Sequence, residues 1–167
     1  LGDVYKRQTQ AVAKAEPDGY TLMMINDNHA LNPSVFKNIP YDSLKDFAPI
    51  GFVGSTPLVL AVHPSVPAKD VKSLVAIAKE KPGAITYASV GVGSASHLAG
   101  AMFGDVAKVE LQHVPYRGGA PALIDLLAGH VNTYFLSPVI SLENIKTGKL
   151  KALALAADKR IEILSDL

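Results

Sequence analysis

The chain has 167 residues, 49% hydrophobic and 19% charged, with a formal net charge of +1. That describes a globular chain long enough for one domain with a real core and excludes a disordered one. The near-zero charge implies no polyanionic partner, and the lack of a Lys/Arg run and the few scattered aromatics leave nucleic-acid binding with little support.

With no cysteine, the chain has no disulfide, thiol or zinc-thiolate chemistry. Every apolar stretch is broken by Pro, Gly or charge short of the roughly 18 residues a membrane span needs. Asp3-Val4-Tyr5-Lys6-Arg7-Gln8 reads like a translated sequencing-adapter end, so residues 1–8 are set aside from the fold. Residues 9–16 are Ala-rich and read as the tail of a helix, closed by the turn signal Pro17-Asp18-Gly19. Residues 20–25 form a short apolar run that predicts a buried strand of the parallel kind. Asn26-Asp27-Asn28-His29 interrupts it with polar loop chemistry, and Asn32-Pro33 opens a short helical turn. Residues 41–47 are mixed and polar, with Asp42 a candidate N-cap.

Strands are expected at 50–53 and 58–63, split by Thr56-Pro57. Residues 70–81 carry Val71, Leu74, Val75 and Ala78 at helical spacing, and Pro82-Gly83 stops them. Strand 85–89 then leads through the glycine loop 91–93 into a helix over 96–106. Strand 111–114 leads through Gly118-Gly119 into a helix over 120–128, with Gly129 as its C′ residue. Strand 131–136, helix 139–146 ended by Gly148, and strand 151–156 complete the pattern. Strands alternating with helices from residue 58 imply a mostly parallel sheet covered on both faces. Ligands of such sheets sit beyond the carboxyl ends of strands, here loops 89–97, 115–121 and 136–139. The final residues 160–167 stop without a closing helix or polar tail, so truncation at both ends is expected.

The sharpest local feature is Ala88-Ser89-Val90-Gly91-Val92-Gly93-Ser94-Ala95-Ser96-His97. A strand running into a small, hydroxyl-rich turn and then a helix offers unpaired N–H groups and a positive dipole end, which suits a carboxylate or phosphate. Helix capping by Ser94 or Ser96 explains the same residues. Two enzymatic readings fail: a Walker A loop needs Lys where Ser94 stands, and a nucleophile elbow at Ser89 needs Gly where Tyr87 stands. In Pro115-Tyr116-Arg117-Gly118-Gly119-Ala120-Pro121, amides near 118–120 could face the same cleft and Arg117 could clamp a carboxylate, but a solvated Arg117 is the favoured reading, and Tyr116 could line the pocket or pack. Asx-turn chemistry alone would account for Asn26 to His29. His29, His63, His97, His113 and His130 show no metal spacing, and the acidic residues are not paired for hydrolysis. The residues describe a binding site without a reactive group.

Several motifs in fixed order carry a resemblance. Pro17-Asp18-Gly19-Tyr20-Thr21-Leu22, Asn32-Pro33-Ser34, Tyr41-Asp42 with Lys45-Asp46-Phe47-Ala48-Pro49-Ile50, and Pro64-Ser65-Val66-Pro67-Ala68 come first. Ser94-Ala95-Ser96-His97-Leu98-Ala99-Gly100, His113-Val114-Pro115-Tyr116-Arg117-Gly118 and Ile145-Lys146-Thr147-Gly148-Lys149-Leu150-Lys151-Ala152-Leu153-Ala154 follow. Over residues 9–167 the chain resembles the Bug family, the TctC-like receptors of tripartite tricarboxylate transporters.

The resemblance implies an α/β periplasmic-binding-protein fold of the second type, with two domains, mostly parallel sheets and crossing hinge strands near 58–63 and 151–157. Residues 9–60 would be part of domain one, 61–157 domain two, and 158–167 the start of the return to domain one. It implies capture of a small carboxylate without catalysis or cofactor, and delivery to membrane transporter subunits or a sensor. It also implies a periplasmic location with a signal peptide upstream, and a full-length monomer that neither inserts into the membrane nor binds nucleic acid. The ligand positions it implies are Ser89, Gly91, Val92, Gly93, Ser94, Ser96, His97, Tyr116, Leu136 and Ser137 on one side and Asn26, Asp27, Asn28 and His29 on the other, with no catalytic residue and no metal. Val92 and Leu136 stand where many members have polar or acidic residues, which favours a simple carboxylate over an amino acid. The rival class is an enzyme on the same architecture, for example a phosphate-ester transferase using loop 89–97; a ligand-sensing module is a third reading.

Overall fold

The structure, a computed structural model, describes residues 2–162. Residue 1 and residues 163–167, with most of the expected return segment, lie outside the described residues. From residue 58 onward the elements are β1 (Leu58–Val62), α3 (Val71–Glu80), β2 (Thr86–Ser89), α4 (Ala95–Ala107), β3 (Gln112–Pro115), α5 (Gly119–Leu127), β4 (Thr133–Leu136), α6 (Pro138–Lys146) and β5 (Lys151–Ala156). Before them come α1 (Gly2–Ala13) and α2 (Asn28–Val35).

One sheet runs in the order β3-β2-β4-β1-β5. β2 is parallel to both β3 and β4, whereas β1 is antiparallel to both β4 and β5. Four strands therefore share a direction and β1 alone opposes them, so the mostly parallel sheet expected from the alternating pattern is present with its first strand reversed. The continuous apolar run of β1 follows from burial on both faces. Val59 and Ala61 pack with Leu126 of α5 and partly buried Leu142 and Ile145 of α6. Leu60 and Val62 face the other way, onto Leu74 and Ala78 of α3 and partly buried Phe103 of α4. Each fully buried Leu of this kind stabilises the fold by about 1.5–3 kcal/mol.

Local chemistry sets the helix ends. Asp70 accepts the Ser73 N–H at 2.7 Å while Ser73 Oγ takes the Asp70 N–H at 3.1 Å, a reciprocal cap that starts α3 where the periodicity begins. Gly129, at φ +77°, follows α5 in the left-handed region, as expected.

The amino-terminal third departs from the sequence reading. Segments 20–25 and 50–53, expected as strands, belong to no helix or strand and have no ladder partner among the described residues. Tyr20 is 91% exposed, Met24 85% and Phe52 84%. A strand exists only through hydrogen bonds to a neighbour, and these segments meet none. The helical turn expected at Asn32-Pro33 is instead part of α2, which starts at Asn28. Asp42 caps a turn rather than a helix: its carboxylate accepts the N–H groups of Leu44 (2.9 Å) and Lys45 (3.0 Å), which hold its pKa below the usual value. Buried Asn32 donates to the Tyr41 hydroxyl at 2.9 Å, and the Lys6 ammonium lies 3.9 Å over the Phe36 ring, tying α1 and the 41–47 turn to α2.

Candidate functional site

Because β2, β3 and β4 are parallel, the loops that follow them emerge at one edge of the sheet. The Tyr116 N–H donates to the Ser89 carbonyl at 2.9 Å, which seats the second loop against the first. This is the edge at which open α/β sheets hold ligands.

In the first loop the hydroxyls turn inward. Ser89, fully buried, accepts the Gly91 N–H (3.1 Å), and its Oγ lies 2.6 Å from His113 Nε2. Ser94 donates to the Gly91 carbonyl (2.7 Å) and caps the His97 N–H (3.3 Å). Ser96 accepts the Val90 N–H (3.2 Å) and lies 3.1 Å from Ser94 Oγ. Gly91 (φ +121°) and Gly93 (φ +81°) occupy backbone conformations that disfavour other residues. Capping therefore does not use up the donors of this helix start. Ser94 satisfies one first-turn donor, while the N–H groups of Ala95 and Ser96 have no acceptor among the described residues. Val92, 59% exposed, projects beside them.

The other two helix starts differ in kind. α5 begins after Gly118 at φ +126° with no side-chain cap, and the Gly119 and Ala120 N–H groups have no acceptor among the described residues. α6 is closed: Pro138 has no N–H, the Val139 N–H donates to Ser137 Oγ (3.3 Å) and the Ile140 N–H to the Ser137 carbonyl (3.3 Å). Its first turn presents Val139 at 80% exposure and Ile140 at 41%. A Cβ at Gly119 would lie 3.7 Å from Ile140 Cδ1, so the apolar start of α6 borders the polar start of α5. Two helix starts offer donors to an anion and the third offers an apolar wall.

The remaining expected residues take varied places. Tyr116 packs against the core and donates to Asp125 Oδ2 at 2.7 Å; burial first, then the Asp125 carboxylate, pushes its phenol up to about 12. Leu136 is buried in the core and Ser137 caps α6. Asn26 makes the Asx turn that its sequence suggests, accepting the Asn28 N–H at 3.2 Å, and Asp27 is exposed. His29 lies flat against Tyr41, with Nε2 2.9 Å from the Ser43 carbonyl. Asn28 Oδ1, His29 Nδ1 and Ser43 Oγ are enclosed without a hydrogen-bond partner. The two sides meet through a different residue: a Cβ at Gly93 would lie 2.7 Å from Val35 Cγ1, at the opposite end of α2 from Asn28 and His29. Among the described residues no group of His, Asp and Glu could hold a metal ion, and no helix is long and apolar enough to cross a membrane.

Residues 3–167 match the family described as the tripartite tricarboxylate transporter family receptor, TctC. The chain belongs to this family. BugT of Bordetella pertussis is 35% identical to this TctC-family chain over 154 residues, 91% of the chain and 47% of BugT. An R. palustris protein solved with adipate is 32% identical with a TM-score of 0.86, over 93% of the chain and 52% of that protein. MatC from Rhodopseudomonas palustris, solved with bound malate, is 28% identical with a TM-score of 0.86, over 97% of the chain and 55% of MatC. The chain spans about half the length of the curated relatives it matches.

Reading the sequence alone missed Val35 and Ile140 in this TctC-family chain, and reached Val139 only as the last residue of the 136–139 loop. Val139 and Ile140 had a usable signal: Pro138 at a helix start removes a donor, and the β-branched pair after it has no core-facing spacing of its own. Val35 had none, because its approach to Gly93 joins distant segments.

Proposed function

We propose that this chain supplies ligand-holding surface to a periplasmic solute-binding receptor. The ligand is a small carboxylate with an apolar body, bound without chemistry and passed to a membrane transporter or a sensor. The observation that carries this reading is the contrast among three adjoining helix starts. Those of α4 and α5 leave N–H donors for a carboxylate, and that of α6 offers Val139 and Ile140 for a hydrocarbon chain.

Support comes from relatives solved with adipate and with malate. The methylenes of an adipate-like acid suit the α6 wall, whereas the hydroxyl of a malate-like acid would leave water without a partner there. Residues 9–60 would belong to the first of two domains and 61–157 to the second. The enclosed, unpartnered atoms of Asn28 and His29 would then lie on the opposite side, where a buried water would satisfy them. Ser89, Gly91, Val92, Gly93, Ser94, Ser96 and His97 would shape the anion end, with Tyr116, Leu136 and Ser137 behind it.

The test is calorimetric titration and thermal shift with adipate, benzoate, malate, glutamate and a phosphate monoester. It is run on this chain and on a form extended to the length of its relatives. Saturable binding of adipate or benzoate, weaker binding of malate and glutamate, and no turnover are expected. Binding or turnover of the phosphate ester, with none of the carboxylates bound, overturns the reading in favour of an enzyme.

A further inference from the structure

We propose that His97 is the positioning residue of the 89–97 loop and holds it in its binding shape only while the imidazole is neutral. The inference rests on the receptor reading for its consequence, loss of ligand affinity in acid, but not for its geometry.

His97 lies in the first turn of α4, and its ring reaches back over the loop, with Nδ1 3.2 Å from the Gly93 nitrogen. A backbone N–H can only donate, so Nδ1 must carry a lone pair and the ring's proton must sit on Nε2. Gly93 is held at φ +81° with Val35 against it, so this N–H has little room to find another acceptor. The His113 ring, on β3, lies 4.3 Å from the His97 ring. His113 Nε2 meets Ser89 Oγ at 2.6 Å, and the same oxygen accepts the Gly91 N–H. Two imidazoles thus hold two glycine amides of one loop, His97 directly and His113 through Ser89.

The surroundings of the His113 ring oppose a charge on it. α4 contributes His97, β3 contributes His113, and β2 contributes Tyr87, whose ring stacks on His113 at 4.9 Å and whose phenol burial pushes up. Burial, then the neighbouring His97, holds the His113 pKa below the usual histidine value. Among the described residues neither ring has a carboxylate partner; the ion pair recorded for a histidine there is His130 with Asp125. Protonating His97 sets N–H against N–H at Gly93 and a cation beside a second imidazole. The donors next to Gly93 then lose their placement. A bare electrostatic role for His97 predicts the reverse, because an imidazolium near a carboxylate would tighten binding in acid.

The experiment measures adipate affinity by calorimetry from about pH 8 to about pH 5 for the parent chain, His97→Asn and His97→Leu. Asn keeps an acceptor atom at the place of Nδ1 that does not titrate, and Leu removes it. The parent is expected to lose about tenfold or more in affinity between the two ends of that range. His97→Leu should bind weakly throughout, and His97→Asn should recover affinity over His97→Leu without the acid step. Parent affinity that is flat or rises in acid, or an acid step that survives in His97→Asn, overturns the proposal. Amide NMR on the ligand-free chain separates this from failure of the receptor reading. If no carboxylate binds, a Gly93 amide that shifts with acid in the parent and not in His97→Asn still upholds the positioning role, and one that never shifts refutes it.

Discussion

Residues 20–25 and β1 are both apolar runs, yet they meet opposite fates. Val59, in β1, is fully buried between two helical layers, while Tyr20 and Met24 stand in solvent. The difference is not in the side chains. β1 has β4 on one edge and β5 on the other; residues 20–25 have no ladder on either edge among the described residues. An apolar run with strand character states a need for neighbours, and only the rest of the fold supplies them. The same holds for 50–53, so the chain divides into a packed unit from residue 58 and a more open region before it.

The largest expected contrast is in backbone protection. Amides of β1 should exchange at least about 10³-fold more slowly than those of 20–25, which should exchange near the unstructured rate. Protected amides at 20–25 in hydrogen-exchange mass spectrometry would break the comparison. Next, Leu126→Ala should cost about 2–5 kcal/mol in denaturant unfolding, and Phe52→Ala should stay within about 0.5 kcal/mol. Equal costs would mean that Phe52 is packed after all.

Gly100→Ala sharpens the contrast at smaller scale. Its new methyl would run into the Tyr87 ring, for a cost of about 1–3 kcal/mol. Gly51→Ala meets nothing within 4 Å and should melt like the parent.

The smallest effect is a pH dependence. Hydrogen bonds from Tyr116, then His130, hold the Asp125 carboxyl below the usual carboxylate range. A folded pKa below the unfolded one makes this contribution full above the unfolded value and lost as pH falls through the folded one. Asp125→Asn should therefore lower the melting temperature slightly at neutral pH and flatten part of its acid decline, leaving the shares of Asp42 and Asp70, whose carboxyls are also held low. An unchanged acid limb would show that the Asp125 contact contributes nothing.

How much was legible follows from where each signal lies. The 70–81 periodicity, its Pro82-Gly83 stop and Gly129 as C′ are local facts, and the structure repeats them. The reversal of β1 is not local, since its direction depends on strands far along the chain. At the site, the order strand, glycine turn, helix predicted free N–H groups in the first turn of a helix expected over 96–106. It did not reveal that Ser89, Ser94 and Ser96 spend their hydroxyls within the loop, because that depends on rotamers and on His113 arriving from another strand. The closed start of α6 was half visible in Pro138, and the enclosure of Asn28 and His29 by Ser43 was not visible at all.

The placement of β1 also bears on how the chain is made. Leu58 pairs with Ala156 and Val62 with Thr133, so β1 leaves the ribosome well before the strands that cover its two edges. Until then an apolar strand without hydrogen-bonded neighbours is exposed to other nascent chains. Closing so large a loop is slow because its entropy is lost before any contact repays it. The assembly of this sheet is set by its longest-range pairing, and a pause in translation just before residue 151 would prolong the interval in which misassembly competes.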